Sequence, residues 1–139
     1  MHLLDSSAIA IILKRHRAKA VDTLKGKITL GLAGYELGNI IWKECSLKGT
    51  ITSKEAETRA GEIAKILEIM NIEDIKSNED FTKTMQLSTE LKTTFYDASY
   101  LHTAKKNELT LITEDTELRE KANKIDITAI SVDQFLDEK

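Results

Sequence analysis

A short apolar run opens the chain and ends at an acidic residue. His2-Leu3-Leu4 precedes Asp5, two serines follow, and residues 8–13 are apolar again. This order predicts a buried strand that ends at Asp5, a tight turn, and a helix that begins near Ser7. Ligands of open α/β sheets bind at the carboxyl ends of the strands, so Asp5 stands where a site would form. The structural alternative is that Asp5 only caps the helix.

Strand-like and helix-like patterns alternate along the rest of the chain. Further strands are predicted at residues 27–32, 109–113 and 127–132, with a short strand or edge segment at 72–75. Helices are predicted at residues 18–24, 33–48, 52–70, 79–91, 94–107 and 116–123, with a short tail helix near 134. Such alternation indicates βαβ units with right-handed crossovers. We therefore expect one α/β domain over residues 1–139, Rossmann-like and three-layered, whose mostly parallel central sheet has about four to five strands.

Composition narrows the range of functions. The length of 139 residues suits one domain with one sizeable core. Twenty basic and 23 acidic residues leave a formal net charge of −3. This balance lacks the basic excess of a protein that binds nucleic acid mainly by neutralising its backbone. A phosphate-bearing substrate would need local basic patches or bound cations.

The single cysteine and the short apolar runs suggest the compartment. Cys45 has no second cysteine in the chain with which to form a disulfide. It falls in an apolar helical pattern, which favours a core position and a reducing, cytoplasmic setting. The apolar run at residues 8–13 is far too short to cross a membrane. We expect neither a signal peptide nor a membrane span.

A second acidic residue repeats the arrangement around Asp5. Asp115, in Thr113-Glu114-Asp115-Thr116, follows the strand at 109–112 and precedes a helix. This places another carboxylate at the carboxyl edge of the sheet. The neighbouring Glu114 is predicted to lie on the opposite side of the turn.

Two more acids lie in predicted helices. Glu36 borders the apolar face that includes Leu37, where an unpaired carboxylate would be costly; a surface position is the alternative. Asn39 lies on the same side of that helix. Asp97 follows Thr94 by three residues, which fits a capping box. A helix N-terminus also favours the ionised carboxylate, ready to bind a cation.

These four acids together suggest a metal site. Clustered carboxylates either raise some of their pKa values or bind a cation. Oxygen ligands without Cys or His favour Mg²⁺ or Mn²⁺ over zinc. Such a site suits phosphoryl chemistry, in which the metal activates water and polarises the phosphate. The histidines do not indicate a different metal site, because His2, His16 and His102 lack the spacing of metal ligands. His102 is predicted to be a packing or surface residue.

Four short pieces, in this order and spacing, resemble the PIN-domain family, and more narrowly its VapC-type toxins. They are Leu3-Leu4-Asp5-Ser6-Ser7, Glu36-Leu37-Gly38-Asn39, Tyr96-Asp97-Ala98 followed by Tyr100-Leu101, and Leu111-Ile112-Thr113-Glu114-Asp115. The resemblance covers essentially the whole chain. It implies a PIN-like fold, a parallel sheet flanked by helices, and a homodimer.

The resemblance also implies an activity and a set of residues. It suggests an endoribonuclease that uses one or two Mg²⁺ or Mn²⁺ ions and is silenced by a cognate antitoxin. The matching metal-binding and catalytic acids are Asp5, Glu36, Asp97 and Asp115. The matching supporting residues are Ser7, Asn39 and Thr113.

An RNA substrate would have to approach an acidic pocket. We hypothesise that basic residues hold its phosphates, namely Lys14, Arg15, Arg17 and Lys43. A solvated basic face is the alternative. Two other functions stay open: a PIN-fold module that binds RNA or a partner without catalysis, and a PIN nuclease of RNA maturation.

Overall fold

Five parallel strands form the centre of the computed structural model, which describes residues 1–138. They are β1 (His2–Leu4), β2 (Ile28–Thr29), β3 (Asn71–Ile72), β4 (Thr110–Ile112) and β5 (Ala129–Ile130). Their spatial order is β3-β2-β1-β4-β5. Leu3 is in register with Ile28 on one side and Leu111 on the other, so β1 lies in the middle. The predicted α/β class with a parallel sheet of about four to five strands is confirmed.

Eight α-helices surround this sheet within the described residues. They are α1 (Ser6–Arg15), α2 (Ala20–Leu24), α3 (Leu32–Trp42), α4 (Ser53–Ile69), α5 (Asn78–Leu91), α6 (Phe95–Lys106), α7 (Thr116–Lys124) and α8 (Val132–Asp137). A 3-10 turn, Arg17–Lys19, precedes α2, and a π-helical segment, Lys43–Leu47, continues α3. The predicted helix at 33–48 is therefore regular only to Trp42. None of the helices in residues 1–138 is both long and apolar enough to cross a membrane.

Capping residues fix where the long helices begin. Thr52 and Glu55 form a capping box at the start of α4. Ser77 and Asp80 form another at the start of α5. These side chains satisfy backbone N–H groups that have no partner within the helix. Both helices consequently begin within two residues of the predicted positions.

Alternate residues of the central strands point to opposite faces of the sheet. Leu4 and Ile112 join one buried cluster, in which α1, α3 and α4 also pack. Leu3 and Leu111 join the other, which includes residues of α6 and α7. Successive side chains of a strand point to opposite faces of the sheet. Both faces are therefore apolar here, and each is covered by a layer of helices. This is the predicted three-layer arrangement.

Two glycines of α3 have different explanations. A glycine inside a helix costs roughly 1 kcal/mol relative to alanine. A Cβ at Gly34 would lie 2.9 Å from the Leu67 Cδ1 atom, so Gly34 lets α3 approach α4 closely. A Cβ at Gly38 would meet nothing within 4 Å. Nothing in the described fold explains that glycine.

Candidate active site

The candidate site lies where the strand order reverses direction. After β1 the chain adds β2 and β3 on one side, and it then crosses to form β4 and β5 on the other. In α/β sheets this reversal opens a crevice at the carboxyl ends of the two strands that flank it. Those strands are β1 and β4 here, and their following residues are Asp5 and Thr113. The Asp5 backbone N–H donates to the carbonyl of Ile112, which joins the two ends.

The Asp5 carboxylate is buried and held on both oxygens. Its Oδ1 accepts the Ala8 N–H at 3.0 Å and the Ser7 hydroxyl at 2.7 Å, while Oδ2 accepts the Thr113 hydroxyl. Asp5 is only 6% exposed. Burial raises its pKa to about 6, and repulsion from Glu36 adds to the rise, whereas the hydrogen bonds oppose it. Asp5 is thus a helix cap and also a candidate ligand.

Two hydroxyls connect Asp5 to the turn after β4. The Ser7 Oγ accepts the Glu114 N–H at 3.0 Å and lies 3.2 Å from the Thr113 Oγ1. The Thr113 Oγ1 accepts the Asp115 N–H at 3.1 Å. The network holds the start of α1 against the end of β4. The two hydroxyl residues named from the resemblance therefore both contact Asp5.

The acids after β4 point in different directions. Asp115 is exposed, and its Oδ1 caps α7 by accepting the Leu118 N–H at 3.1 Å. The Glu114 Oε1 instead accepts the N–H of Val132, the first residue of α8, at 2.8 Å. Glu114 is therefore used at another helix N-terminus. This agrees with the prediction that it lies on the opposite side of the turn.

Glu36 is held by a tyrosine from another helix. The Tyr100 hydroxyl, on α6, donates to the Glu36 Oε1 at 2.8 Å. Partial burial raises the pKa of Glu36, the hydrogen bond from Tyr100 opposes the rise, and repulsion from Asp97 adds to it. Burial also raises the pKa of the Tyr100 hydroxyl, so it stays a donor. Our sequence reasoning gave Tyr100 no role, although it follows Asp97 by three residues and so lies on the same side of a helix.

Asp97 forms only half of the capping box that its spacing predicts. Its backbone N–H donates to the Thr94 hydroxyl at 3.0 Å, but its carboxylate contacts the Thr93 hydroxyl at 3.5 Å. Burial raises the pKa of Asp97, repulsion from Asp115 adds to this, and the Lys121 ammonium opposes it. The carboxylate therefore lies within electrostatic reach of two other charged groups of the site.

Two basic residues of α7 were missed by the sequence analysis. The Lys121 Nζ donates to the carbonyl of Lys92 at 3.2 Å and pairs with Glu117 at 3.1 Å. The Arg119 guanidinium donates to the carbonyl of Thr113 at the end of β4. Their spacing of three and five residues from Thr116 at the start of α7 is ordinary for a surface helix. No sequence signal distinguished them.

The four predicted acids form a series of electrostatic neighbours. Repulsion links Asp5 to Glu36, Glu36 to Asp97, and Asp97 to Asp115. Within residues 1–138, however, no three acidic, His or Cys side chains are arranged to hold a metal ion directly. The donors are all oxygen atoms, which fits Mg²⁺ or Mn²⁺, and Mg²⁺ usually keeps several waters between itself and protein carboxylates. The residues therefore fit a hydrated divalent cation.

The other predicted residues lie around this site or beside a groove. Asn39, Arg15 and Lys43 are exposed. Lys14 and Arg17 line a groove of about 630 Å³ between α1, α3 and α4, and Arg17 pairs with Glu62 of α4. The groove has an apolar floor that includes the isoleucines Ile11, Ile40, Ile41, Ile51 and Ile63.

A second cluster of charged groups lies between α5 and α6. The His102 Nε2 is 2.8 Å from the Asp80 Oδ1, and the Lys106 Nζ is 3.0 Å from the same oxygen. The Asp80 Oδ2 also accepts the backbone N–H groups of Lys76 and Ser77. Both Asp80 and His102 are buried. Of the two positions predicted for His102, packing or surface, the structure shows the packed one.

Comparison with known proteins gives a consistent result. The family model of the PIN domain matches residues 3–124. A protein of Pyrobaculum aerophilum named exonuclease VapC9 is 31% identical over 132 residues, covering 94% of this chain and 93% of that protein. Another from the same organism, named ribonuclease VapC3, is 28% identical over 124 residues, covering 86% of this chain and 92% of that protein.

Solved structures agree on the fold. A crystal structure of a Pyrobaculum aerophilum protein has a TM-score of 0.81 and 29% identity, covering 99% of this chain and 93% of its own. A structure of VapBC-1 from nontypeable Haemophilus influenzae has a TM-score of 0.64 and 15% identity, covering 95% of this chain and 98% of its own. The second likeness concerns the fold alone.

Proposed function

This chain belongs to the PIN-domain family, and from that premise we propose that it is a Mg²⁺- or Mn²⁺-dependent endoribonuclease of the VapC type. The observation that carries the proposal is the buried Asp5 carboxylate at the end of β1, which is held by hydroxyl and backbone donors and is not paired with a Lys, Arg or His side chain of residues 1–138. The names of the two VapC relatives support nuclease chemistry, although one is called an exonuclease and the other a ribonuclease. Neither name specifies cleavage within an RNA chain, which is part of our proposal.

The acids have distinct parts in the proposed mechanism. Asp5 and Asp97 chiefly hold one or two divalent ions, and Glu36 and Asp115 complete the site directly or through water. The bound cation supplies positive charge that stabilises the phosphodiester as negative charge develops on it during hydrolysis. Each acid must be ionised to do this.

The surrounding residues keep the acids oriented and charged. The Ser7 and Thr113 hydroxyls fix both oxygens of Asp5, and the Tyr100 hydroxyl fixes one oxygen of Glu36. A positioned group contributes more to a transition state than one that must reorient during the reaction.

RNA must be attracted despite the net negative charge. We assign phosphate contacts to the basic residues Lys14, Arg15, Arg17 and Lys43. Because Arg17 is already paired with Glu62, its contribution is expected to be smaller than that of the exposed Arg15.

We further propose an antitoxin partner and a homodimer. The groove between α1, α3 and α4 supports the antitoxin partner, because its apolar floor is rimmed by charged residues of both signs. Its basic rim residues are Lys14, Arg17, Lys48 and Arg59, and its acidic rim residues are Glu44 and Glu62. An amphipathic helix of an antitoxin would bury its apolar face on that floor.

A circular single-stranded RNA tests the activity and its mode together. Purified protein should linearise the circle with Mg²⁺ or Mn²⁺ and not with EDTA, since an exonuclease has no end from which to start. Asp97→Asn should lower the rate by at least about 10²-fold, the order of a lost transition-state electrostatic contact. Asp22→Asn, an exposed acid on α2, is the matched control and should cleave normally.

Three outcomes would contradict the proposal in different ways. Degradation of linear RNA alone would indicate an exonuclease. Binding without cleavage under any metal condition would favour the non-catalytic module. Normal cleavage by Asp97→Asn would remove Asp97 from the mechanism. Arrest of growth on induced expression, lost in Asp97→Asn, would separate a toxin from a nuclease of RNA maturation.

A further inference from the structure

Lys121 of α7 is a lysine whose side chain is largely buried. It is 15% exposed, whereas the side chain of its ion-pair partner Glu117 is 74% exposed. An ammonium group is costly to bury unless its partners compensate for the lost water. An ion pair with so exposed a carboxylate contributes little. The pair with Glu117 therefore does not by itself explain why this ammonium group is buried.

The second contact of Lys121 reaches the connection between α5 and α6, which is residues 92–94. The Lys121 Nζ donates to the backbone carbonyl of Lys92 at 3.2 Å. Lys92 has a φ of 52° and a ψ of 50°, a left-handed conformation that residues other than glycine rarely adopt unless neighbouring contacts hold it. The Ser88 Oγ of α5 donates to the carbonyl of the next residue, Thr93, at 2.7 Å. The connection is therefore held from α5 and from α7.

The same connection determines where Asp97 lies. Its last residue, Thr94, caps α6 by accepting the Asp97 backbone N–H at 3.0 Å, and the Asp97 Oδ2 lies 3.5 Å from the Thr93 Oγ1. Asp97 is in the first turn of α6, so a displacement of the connection would move its carboxylate. The start of α7 carries Asp115, whose charge repels that of Asp97. Lys121 thus joins the two segments that carry these acids.

Resting on the proposed nuclease function, we propose that Lys121 is a positioning residue, which fastens the α5–α6 connection to α7 and so holds the Asp97 carboxylate in the orientation that cleavage requires. Its ammonium group also lies within electrostatic reach of Asp97 and opposes the repulsion from Asp115. A displacement of about 1 Å can cost about 10²-fold in rate, so a small shift of the connection is enough to impair cleavage. The alternative is a purely structural tie, which would affect stability and leave kcat unchanged.

Cleavage kinetics of Lys121→Met and Lys121→Arg test this role. Met keeps a long unbranched side chain without N–H donors or charge, whereas Arg keeps both. Lys121→Met should lower kcat about 10-fold or more with little change in KM, because the orientation of Asp97 acts on the reaction step and not on RNA binding. Lys121→Arg should retain most of the wild-type kcat. Lys124→Met is the matched control, since Lys124 is exposed on the same helix, and it should cleave normally.

Hydrogen exchange of backbone amides tests the fastening without any cleavage. In metal-free Lys121→Met, the amides of Thr93 and Asp97 should exchange about 10-fold faster than in wild type, because the connection opens more often. The Phe81 amide, which donates to the Ser77 carbonyl at the other end of α5, should keep its rate. The neutral Lys121→Gln replaces the Met variant in both measurements if that variant does not fold.

The contrary outcomes separate this inference from the nuclease proposal. Normal kcat in Lys121→Met, when wild type cleaves RNA, would refute the positioning role and keep the nuclease. Equal kcat losses in the Met and Arg variants, or faster exchange at all three amides, would also refute it. A wild-type protein that never cleaves RNA would refute the nuclease. Faster exchange confined to Thr93 and Asp97 would then keep Lys121 as the residue that fixes Asp97, and unchanged exchange would overturn both.

Discussion

Replacing Asp5 by asparagine should stabilise the metal-free protein at neutral pH, although the same change should abolish cleavage. The carboxylate is buried, and its pKa is raised from an ordinary 3.8 to about 6. An acid whose pKa is higher in the folded than in the unfolded state destabilises the fold once it ionises. Asparagine keeps the shape of the side chain without the charge.

The sign and the size follow from the two pKa values. Below pH 3.8 both states hold the proton, and Asp5 has no differential effect. Between pH 3.8 and about 6 the unfolded state loses its proton first, so the free energy of unfolding falls as pH rises. Above about pH 6 the whole penalty is present. The difference of about two pH units corresponds to about 3 kcal/mol.

The hydrogen bonds around Asp5 can accommodate asparagine. Its Oδ1 can still accept from the Ala8 N–H and the Ser7 hydroxyl. Its Nδ2 group would donate to the Thr113 Oγ1, which now donates to Asp5. The Thr113 hydroxyl can then turn its hydrogen toward the Ser7 Oγ, 3.2 Å away. No buried polar atom loses its partner, so the cap of α1 is kept.

Urea unfolding in EDTA, repeated from pH 4 to pH 8, measures the effect. Wild type and Asp5→Asn should be nearly equal at pH 4 and should diverge until about pH 6, with the variant more stable. Mg²⁺ should then stabilise wild type more than the variant, because only the carboxylate binds the ion strongly. Asp22→Asn, at an exposed position, should show no such divergence. A variant less stable than wild type at pH 7.5, or a gap that does not change with pH, would refute the reasoning.

Two further predictions concern other residues of the structure. Tyr100→Phe should lower kcat about 10-fold, because Glu36 loses the hydrogen bond that holds it. That bond also lowers the pKa of Glu36, so the acid limb of the pH–rate profile should move to higher pH. An unchanged acid limb would exclude a positioning role for Tyr100. Asp80→Asn should be less stable than wild type at pH 7, with the gap closing as pH falls below about 4, because the pKa of Asp80 is lowered by its hydrogen bonds with His102 and Lys106. Chemical unfolding of both proteins at pH 7 and at a series of pH values below 4 checks this prediction. A difference in the free energy of unfolding that does not shrink as pH falls would contradict the role given to the Asp80 charge.

The sequence was most informative where local patterns decide the structure. The apolar run before Asp5 and the strand before Asp115 located both acids at the same sheet edge, because parallel strands end on the same side. At Asp5 the sequence leaves a helix cap and a functional ligand as alternatives. In the structure Asp5 and Asp115 each cap a helix beside the crevice, so the caps are compatible with the proposed site. A cap motif therefore does not argue against a functional site.

Contacts between distant residues could not be predicted in this way. The bond from Tyr100 to Glu36 spans 64 positions, and neither residue's local pattern identifies the other. The strand predicted at 27–32 is regular only over Ile28–Thr29, because α3 begins at Leu32. The close approach that Gly34 permits depends on Leu67, again on another helix. Tertiary packing determines each of these features.

Two buried acids of this chain differ in the groups that surround them. Asp80 is surrounded by His102, Lys106 and two backbone N–H groups, and its pKa is lowered. Asp5 is also buried, but no Lys, Arg or His side chain in residues 1–138 pairs with it, and desolvation raises its pKa. A fold that needed only a helix cap would be better served by serine or asparagine, which carry no charge. The structure pairs the buried Asp80 with cationic side chains and leaves Asp5 without one, which supports the proposal that Asp5 binds a divalent cation.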